Sequence, residues 1–106
     1  MNTKRDEQWR VDLRAKIKAK DRTNLERVHM PELDPEYRSH IRNEEVNLGL
    51  TPEQAMAEAQ RCLDCANPTC MEGCPVGIQI PDFIKHIETG NFLEAAKVLK
   101  LTSALP

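Results

Sequence analysis

Trp9, Leu13 and Ile17 stand four residues apart in a stretch otherwise crowded with Arg10, Arg14, Lys16, Lys18 and Lys20. That spacing predicts a helix over residues 4–20 with a single apolar stripe. The stripe is narrow, so it reads as a solvated helix docking on a partner rather than a basic membrane-surface or anion-binding helix. From Arg27 to Asn43 the periodicity breaks. Pro31 and Pro35 bracket MPELDPEY, which predicts an extended linker, because each proline disfavours helix at the residue before it. Leu48-Gly49-Leu50 reads as a turn.

A helix start follows. Thr51 is placed to cap, Pro52 takes the first helical position, and Gln54 completes a T-x-x-Q capping box. The helix TPEQAMAEAQRCL carries Ala55, Ala59, Cys62 and Leu63 on one face, with Cys62 near its C-terminal end. Pro68, Gly73, Pro75, Gly77 and Pro81 then predict a long loop from Ala66 to Pro81 without regular structure over most of its length. Phe83, Ile84 and Ile87 predict a short helix ended by Gly90. Asn91 and Glu94 predict an N-x-x-E cap on a last helix with Phe92, Ala95, Ala96 and Leu99 on its apolar face, completing an αα-hairpin.

Composition supports an all-α reading. The 106 residues make at most one domain, 30% charged and only 4% aromatic, so the core must come from Leu, Ile, Val, Ala and Met. The formal charge of −2 hides an asymmetry: residues 1–22 hold eight Lys/Arg against four Asp/Glu, and residues 23–106 hold seven against thirteen. An acidic folded part argues against nucleic acid as a partner. The N-terminus lacks an apolar signal region and no run is long enough to span a bilayer, so no membrane partner is expected and the protein reads as cytoplasmic. Clustered cysteines in that compartment are more often metal ligands or catalytic thiols than structural disulfides.

All four cysteines lie in CLDCANPTCMEGCP as C-x2-C-x4-C-x3-C-P: Cys62, Cys65, Cys70 and Cys74. Structural zinc usually takes two C-x-x-C knuckles separated by a longer insert, and these gaps are too short for that. A thioredoxin-like dithiol would follow a strand, and none precedes Cys62. Iron–sulfur ligation fits better: bacterial ferredoxins use C-x2-C-x2-C-x3-C-P and send the fourth cysteine to a second cluster. Soft thiolates also favour iron–sulfur over hard cations. A zinc-stabilised module, a disulfide pair and a cofactor-free helical interaction domain remain as alternatives.

Other residues offer less. His29, His40 and His86 are scattered without a second ligand at helical spacing and read as surface or helix-end residues. Four glycines leave no G-x-G-x-x-G, so no dinucleotide fold fits in this chain. Met30, Met56 and Met71 read as gap-fillers. Lys85, Arg61 and Lys97 could tune a nearby cluster by their charge, although solvated helix faces suit each of them better.

The run EAQRCLDCANPTCMEGCPVGIQIPDFIKHIETGNFLEAAKVLKLTSALP, with EEVNLGLTPEQAMAEA upstream, resembles the N-terminal iron–sulfur domain of the small (β) subunit of NADPH-dependent glutamate synthase. The same domain is similar to parts of related flavin transhydrogenases and of dihydropyrimidine dehydrogenase, and the likeness covers roughly residues 35–106. The resemblance implies a helical ferredoxin-like domain with two 4Fe–4S clusters, Cys62, Cys65 and Cys70 holding one and Cys74 the other. It implies a second cysteine motif beyond the segment matching SALP, so the chain is expected to be a truncated piece, noncatalytic alone, of an oxidoreductase. The expected division is a basic helix and extension over 1–30, a linker over 31–50, and the first part of the cluster domain over 51–106. FAD and NADPH would bind elsewhere in the parent chain. The implied partners are that flavin domain and a glutamate synthase large subunit or its equivalent, with electrons relayed between them.

Overall fold

The computed structural model describes residues 2–106. Helix makes up 46% of the described residues, and no strand occurs among them. The elements are α1 (Gln8–Lys16), α2 (Ala19–Thr23), α3 (Pro35–Arg38), α4 (Pro52–Ala59), α5 (Thr69–Glu72), α6 (Ile80–Glu88) and α7 (Phe92–Lys100). The all-α expectation holds. The radius of gyration is 16.0 Å, against about 13 Å for a compact domain of this length, so the chain is spread out rather than closed on itself.

α4 lies against α6, and α6 and α7 pack against each other as a hairpin. Its turn ends α6 as the sequence predicts. Gly90 takes φ +82, its N–H donates to the Ile87 carbonyl at 2.9 Å, and the Asn91 N–H donates to the His86 carbonyl at 2.9 Å. This is a Schellman closure, which needs a residue free to adopt the left-handed region. The next expectation fails: Asn91 makes no side-chain cap on α7, and Glu94 pairs with Lys97 at 2.9 Å instead. The Thr51–Gln54 capping box forms in both directions, at 3.2 and 3.0 Å, but α4 stops at Ala59 rather than running on through Leu63.

Two other expectations change. The predicted helix over 4–20 is two helices, because backbone at Ile17 and Lys18 is extended. Arg22 makes the break stable by reaching back to the end of α1, its Nη2 donating to the Leu13 carbonyl at 2.6 Å and its Nε to that of Ile17 at 2.9 Å. The Ile17 carbonyl at the helix end thereby gains a donor, and that of Leu13 gains a second beside the Ile17 N–H. The proline segment is not extended throughout. It doubles back, with Leu33 N–H on the Val46 carbonyl and Leu48 N–H on that of Pro31, both at 2.9 Å, and Asp34 caps the single turn of α3.

The interior departs most from expectation. The buried apolar residues are Ala59, Ala95 and Val98, whereas Asn2, Arg10, Arg22, Asp64, Asp82, Lys85 and Glu88 are buried and polar or charged. Ions, not branched aliphatics, fill the centre where α1, α2 and α6 meet the cysteine loop. Each ion is buried with a partner, as it must be: Arg10 on Asp64, Arg22 on Glu88 at 2.6 Å, Lys85 on Glu88 at 3.2 Å.

Candidate thiol-ligated metal centre

The cysteines occupy one continuous irregular stretch between α4 and α6, interrupted only by the single turn of α5. Cys62 follows α4 and is half-buried, Cys65 is exposed, Cys70 lies exposed on α5, and Cys74 is half-buried after Gly73. All are free thiols. Cys62 and Cys70 share a cavity of about 480 Å³ whose wall is formed by Leu50, Ala55, Ile80, Ile84 and Ile87. Cys65 and Cys74 do not line it. Among the described residues, no three Cys, His, Asp or Glu side chains stand close enough to hold one metal ion. The four expected ligands therefore share a loop, and two share a cavity, without forming a closed set.

Their environments push the thiols apart chemically. Burial raises the Cys62 thiol above its ordinary range, opposed in part by the Asp64 N–H and the Lys85 ammonium. The Cys74 thiol is lowered, chiefly by N–H groups of Ile78 and Val76 directed at its sulfur, with Gly77 adding to them. Pro75 starts this turn and Gly77, at φ +72, completes it, so consecutive N–H groups converge on one sulfur. A thiolate is the form such donors stabilise. Near neutral pH Cys74 should thus be alkylated by iodoacetamide first and Cys62 last, read by mass spectrometry of digested time points. Equal rates for the two would contradict these environments.

The donor set suits an iron–sulfur group. It offers sulfur alone, an apolar wall faces two of the thiols, and backbone N–H groups already receive a third.

The side chains that brace this loop were not expected from the sequence. Lys85 is not on a solvated face; it is buried, and its Nζ donates to the Cys62 carbonyl at 2.8 Å. Arg61 and Lys97 do remain at the surface, on Glu58 and Glu94. Asp64, between Cys62 and Cys65, is fully buried at φ +52 with its carboxylate ringed by Asn2, Arg10 and Arg14. Burial alone would raise this carboxyl, but hydrogen bonds from Arg10 and Asn2 and the Arg10 charge outweigh it and hold the group below its ordinary value. The apolar stripe of α1 turns inward on this same chain: Trp9 stacks on His86 with ring centres 4.6 Å apart, while Arg10 beside it is the more deeply buried. His29 and His40 are exposed, as expected. The one available signal was Arg10 and Arg14 at helical spacing, with a lone aspartate inside a C-x2-C.

Comparison with known proteins adds to this geometry. Residues 39–106 match the family described as dihydropyrimidine dehydrogenase domain II, 4Fe–4S cluster. The chain is 46% identical over 55 residues to the glutamate synthase [NADPH] small chain of Halomonas elongata, covering 52% of this chain and 12% of that protein. It is 37% identical over 83 residues to the protein of the same name from Escherichia coli, covering 78% of this chain and 17% of that one. Over 62 residues it is 37% identical to the NAD-dependent dihydropyrimidine dehydrogenase subunit PreT of Salmonella typhimurium, covering 58% of this chain and 15% of that one. The chain thus spans less than a fifth of the length of these relatives. No solved structure matches it significantly.

Proposed function

Because the chain belongs to the family of 4Fe–4S domains described from domain II of dihydropyrimidine dehydrogenase, we propose that it is the electron-transfer module of an oxidoreductase of the glutamate synthase small-chain kind. The observation that carries this reading is the sulfur-only donor set of Cys62, Cys65, Cys70 and Cys74 within the matched residues, with backbone N–H groups already directed at Cys74. In it, Cys62, Cys65 and Cys70 hold one cluster and Cys74 holds another, completed by a second cysteine motif. When bound, the clusters supply reversible one-electron transfer.

The chain's own residues have other tasks. Ile80, Ile84 and Ile87 give an apolar wall to the cavity that Cys62 and Cys70 line. Lys85 fixes the Cys62 carbonyl and brings a buried positive charge to the loop. The N–H groups of Ile78, Val76 and Gly77 lower the Cys74 thiol and so favour its thiolate. No bond chemistry is assigned to this chain by itself. Its partners in this reading are a flavin domain of the same parent, carrying FAD and reduced by NADPH, and the redox centres of a large subunit or its equivalent. The equivalent domain of an NAD(P)H transhydrogenase would use the same residues. No helix among the described residues is long and apolar enough to cross a membrane, which agrees with electron transfer between protein partners.

The test is anaerobic measurement of iron, acid-labile sulfide and zinc per chain, with a visible absorption spectrum. It is made on this chain and on the chain carried on into the second cysteine motif. The longer form should be brown with about eight iron and eight sulfide, as two 4Fe–4S clusters require. Zinc without sulfide in both forms would replace the reading with a zinc-stabilised interaction module. Folding and partner binding unaffected by changing all four cysteines to serine, with neither metal present, would leave a cofactor-free docking domain.

A further inference from the structure

Asp64 sits at φ +52, a backbone conformation that residues other than glycine seldom adopt, in the middle of the first C-x2-C. Among the described residues, every side chain that donates to its oxygens comes from the N-terminal arm. Asn2 Nδ2 and Arg10 Nη2 donate to Oδ1 at 2.7 and 2.5 Å, Arg10 Nε and Arg14 Nη1 donate to Oδ2 at 3.3 and 2.7 Å, and Arg5 Nε donates to the carbonyl at 2.8 Å. Asn2 Nδ2 also reaches the Cys65 carbonyl at 2.9 Å. A second grip lies one turn upstream. Arg22 Nη1 holds the Gln60 carbonyl at 2.6 Å, and Lys85, through the Glu88 carboxylate that Arg22 shares, holds that of Cys62 at 2.8 Å. The backbone from residue 60 to 65 is therefore fixed at four carbonyls and one carboxylate, almost wholly by residues outside the stretch that matches the family.

We propose that residues 2–22 are a positioning clamp for the cysteine loop, with Asp64 as its handle, fixing the backbone between Cys62 and Cys65 and setting the charge beside the thiolates. Only the second half rests on the iron–sulfur reading. Arg5, Arg10, Arg14 and Arg22 of the clamp, with Lys85 of α6, stand against Asp64, Asp82 and Glu88, two cations in surplus. A surplus cation favours the reduced, more negative form of a nearby redox centre, so it raises the reduction potential. These are positioning residues: none of them is a ligand.

Two variants of this chain separate the clamp from simple bracing. Asp64→Gly accepts the same backbone angle without strain but has no handle. Arg14→Gln removes one partly exposed cation and leaves the buried Arg10–Asp64 pair. Amide exchange at residues 62–66 in the metal-free chain should quicken roughly tenfold or more in Asp64→Gly, the scale of a lost hydrogen bond to a charged group, and less in Arg14→Gln. Exchange in α6 and α7 should stay unchanged. In the iron-loaded protein, the midpoint potential should fall in Arg14→Gln, which loses a cation, and rise in Asp64→Gly, which loses an anion. Wild-type exchange at 62–66 in both variants would overturn the clamp. Faster exchange with potentials that do not move in opposite directions would reduce the arm to a structural brace and overturn the proposal as well. Should Asp64→Gly unfold throughout, Arg14→Gln decides by the same two readings. Should the wild-type chain take up no iron or sulfide in either length, the iron–sulfur reading fails, and the exchange rates still decide whether the arm fixes the loop.

Discussion

Arg22→Met is expected to destabilise the fold by about 3–5 kcal/mol, the range for breaking a buried ion pair by removing one partner. The Arg22 side chain is 1% exposed and that of Glu88 4%, so the carboxylate, left with Lys85 as its one cation, cannot recover its solvation without opening the structure. Methionine fills similar volume, which keeps the loss electrostatic rather than a cavity effect. The change also takes the Arg22 donor from the carbonyls of Ile17 and Gln60 and leaves Leu13 with the Ile17 N–H alone, so the end of α1, the start of α2 and the approach to the cysteine loop weaken together. Against a total stability of roughly 5–15 kcal/mol for a typical domain, that loss is a large share of the whole. The measurement is urea unfolding followed by circular dichroism, read as a drop in midpoint. A control sits on the surface: Lys97→Met breaks the exposed Glu94 pair and should cost under about 1 kcal/mol. Equal small effects for both variants would mean that Arg22 is solvated and the ionic interior wrongly drawn.

The same interior explains where the sequence was legible and where it was not. Local signals read well when both partners lay within a few residues. Thr51, Pro52 and Gln54 announced the start of α4, and Gly90 announced the end of α6, because capping and left-handed closure depend on neighbours alone. The loop and its four thiols were legible for the same reason: proline and glycine spacing acts locally. Asn91 and Glu94 carried an equally good local signal and failed, since the Asn91 N–H was already engaged by the end of α6 and Glu94 had Lys97 within reach.

What the pattern could not disclose was long-range. Arg10 and Asp64 are 54 residues apart, Arg22 and Glu88 are 66 apart, and nothing in either segment marks the other as its partner. Charge at positions 10, 14 and 22 normally signals solvent, so the arm was read as a solvated helix with Trp9, Leu13 and Ile17 as its docking face. The chain instead buries its arginines with carboxylates from the loop and from α6. Lys85 was misjudged in the same way, as a solvated lysine on an amphipathic helix. The single turn of α5 and the break at Ile17 were also illegible: both are too short for periodicity to show, and the latter depends on Arg22 folding back on α1.

The ligand division proposed for the thiols predicts a pattern of additivity in the longer form that carries both clusters. Cys65→Ala should remove about four iron and four sulfide of eight, and Cys74→Ala should remove about as many, since each is assigned to a different cluster. Two losses at independent sites add, and two losses at one site do not. The double variant Cys65→Ala/Cys74→Ala should therefore be colourless, whereas Cys65→Ala/Cys70→Ala should keep the iron of either single variant. The residual spectrum of Cys65→Ala should match that of Cys70→Ala and differ from that of Cys74→Ala. What sets Cys74 apart is the N–H groups of Ile78, Val76 and Gly77 on its sulfur; Cys62 and Cys70 line one apolar cavity, which Cys65 and Cys74 do not. A double variant Cys65→Ala/Cys74→Ala that holds as much iron as either single one would place all four thiols on one cluster. In that case the C-x4-C gap, two residues longer than the ferredoxin spacing, is what allows Cys74 to reach back.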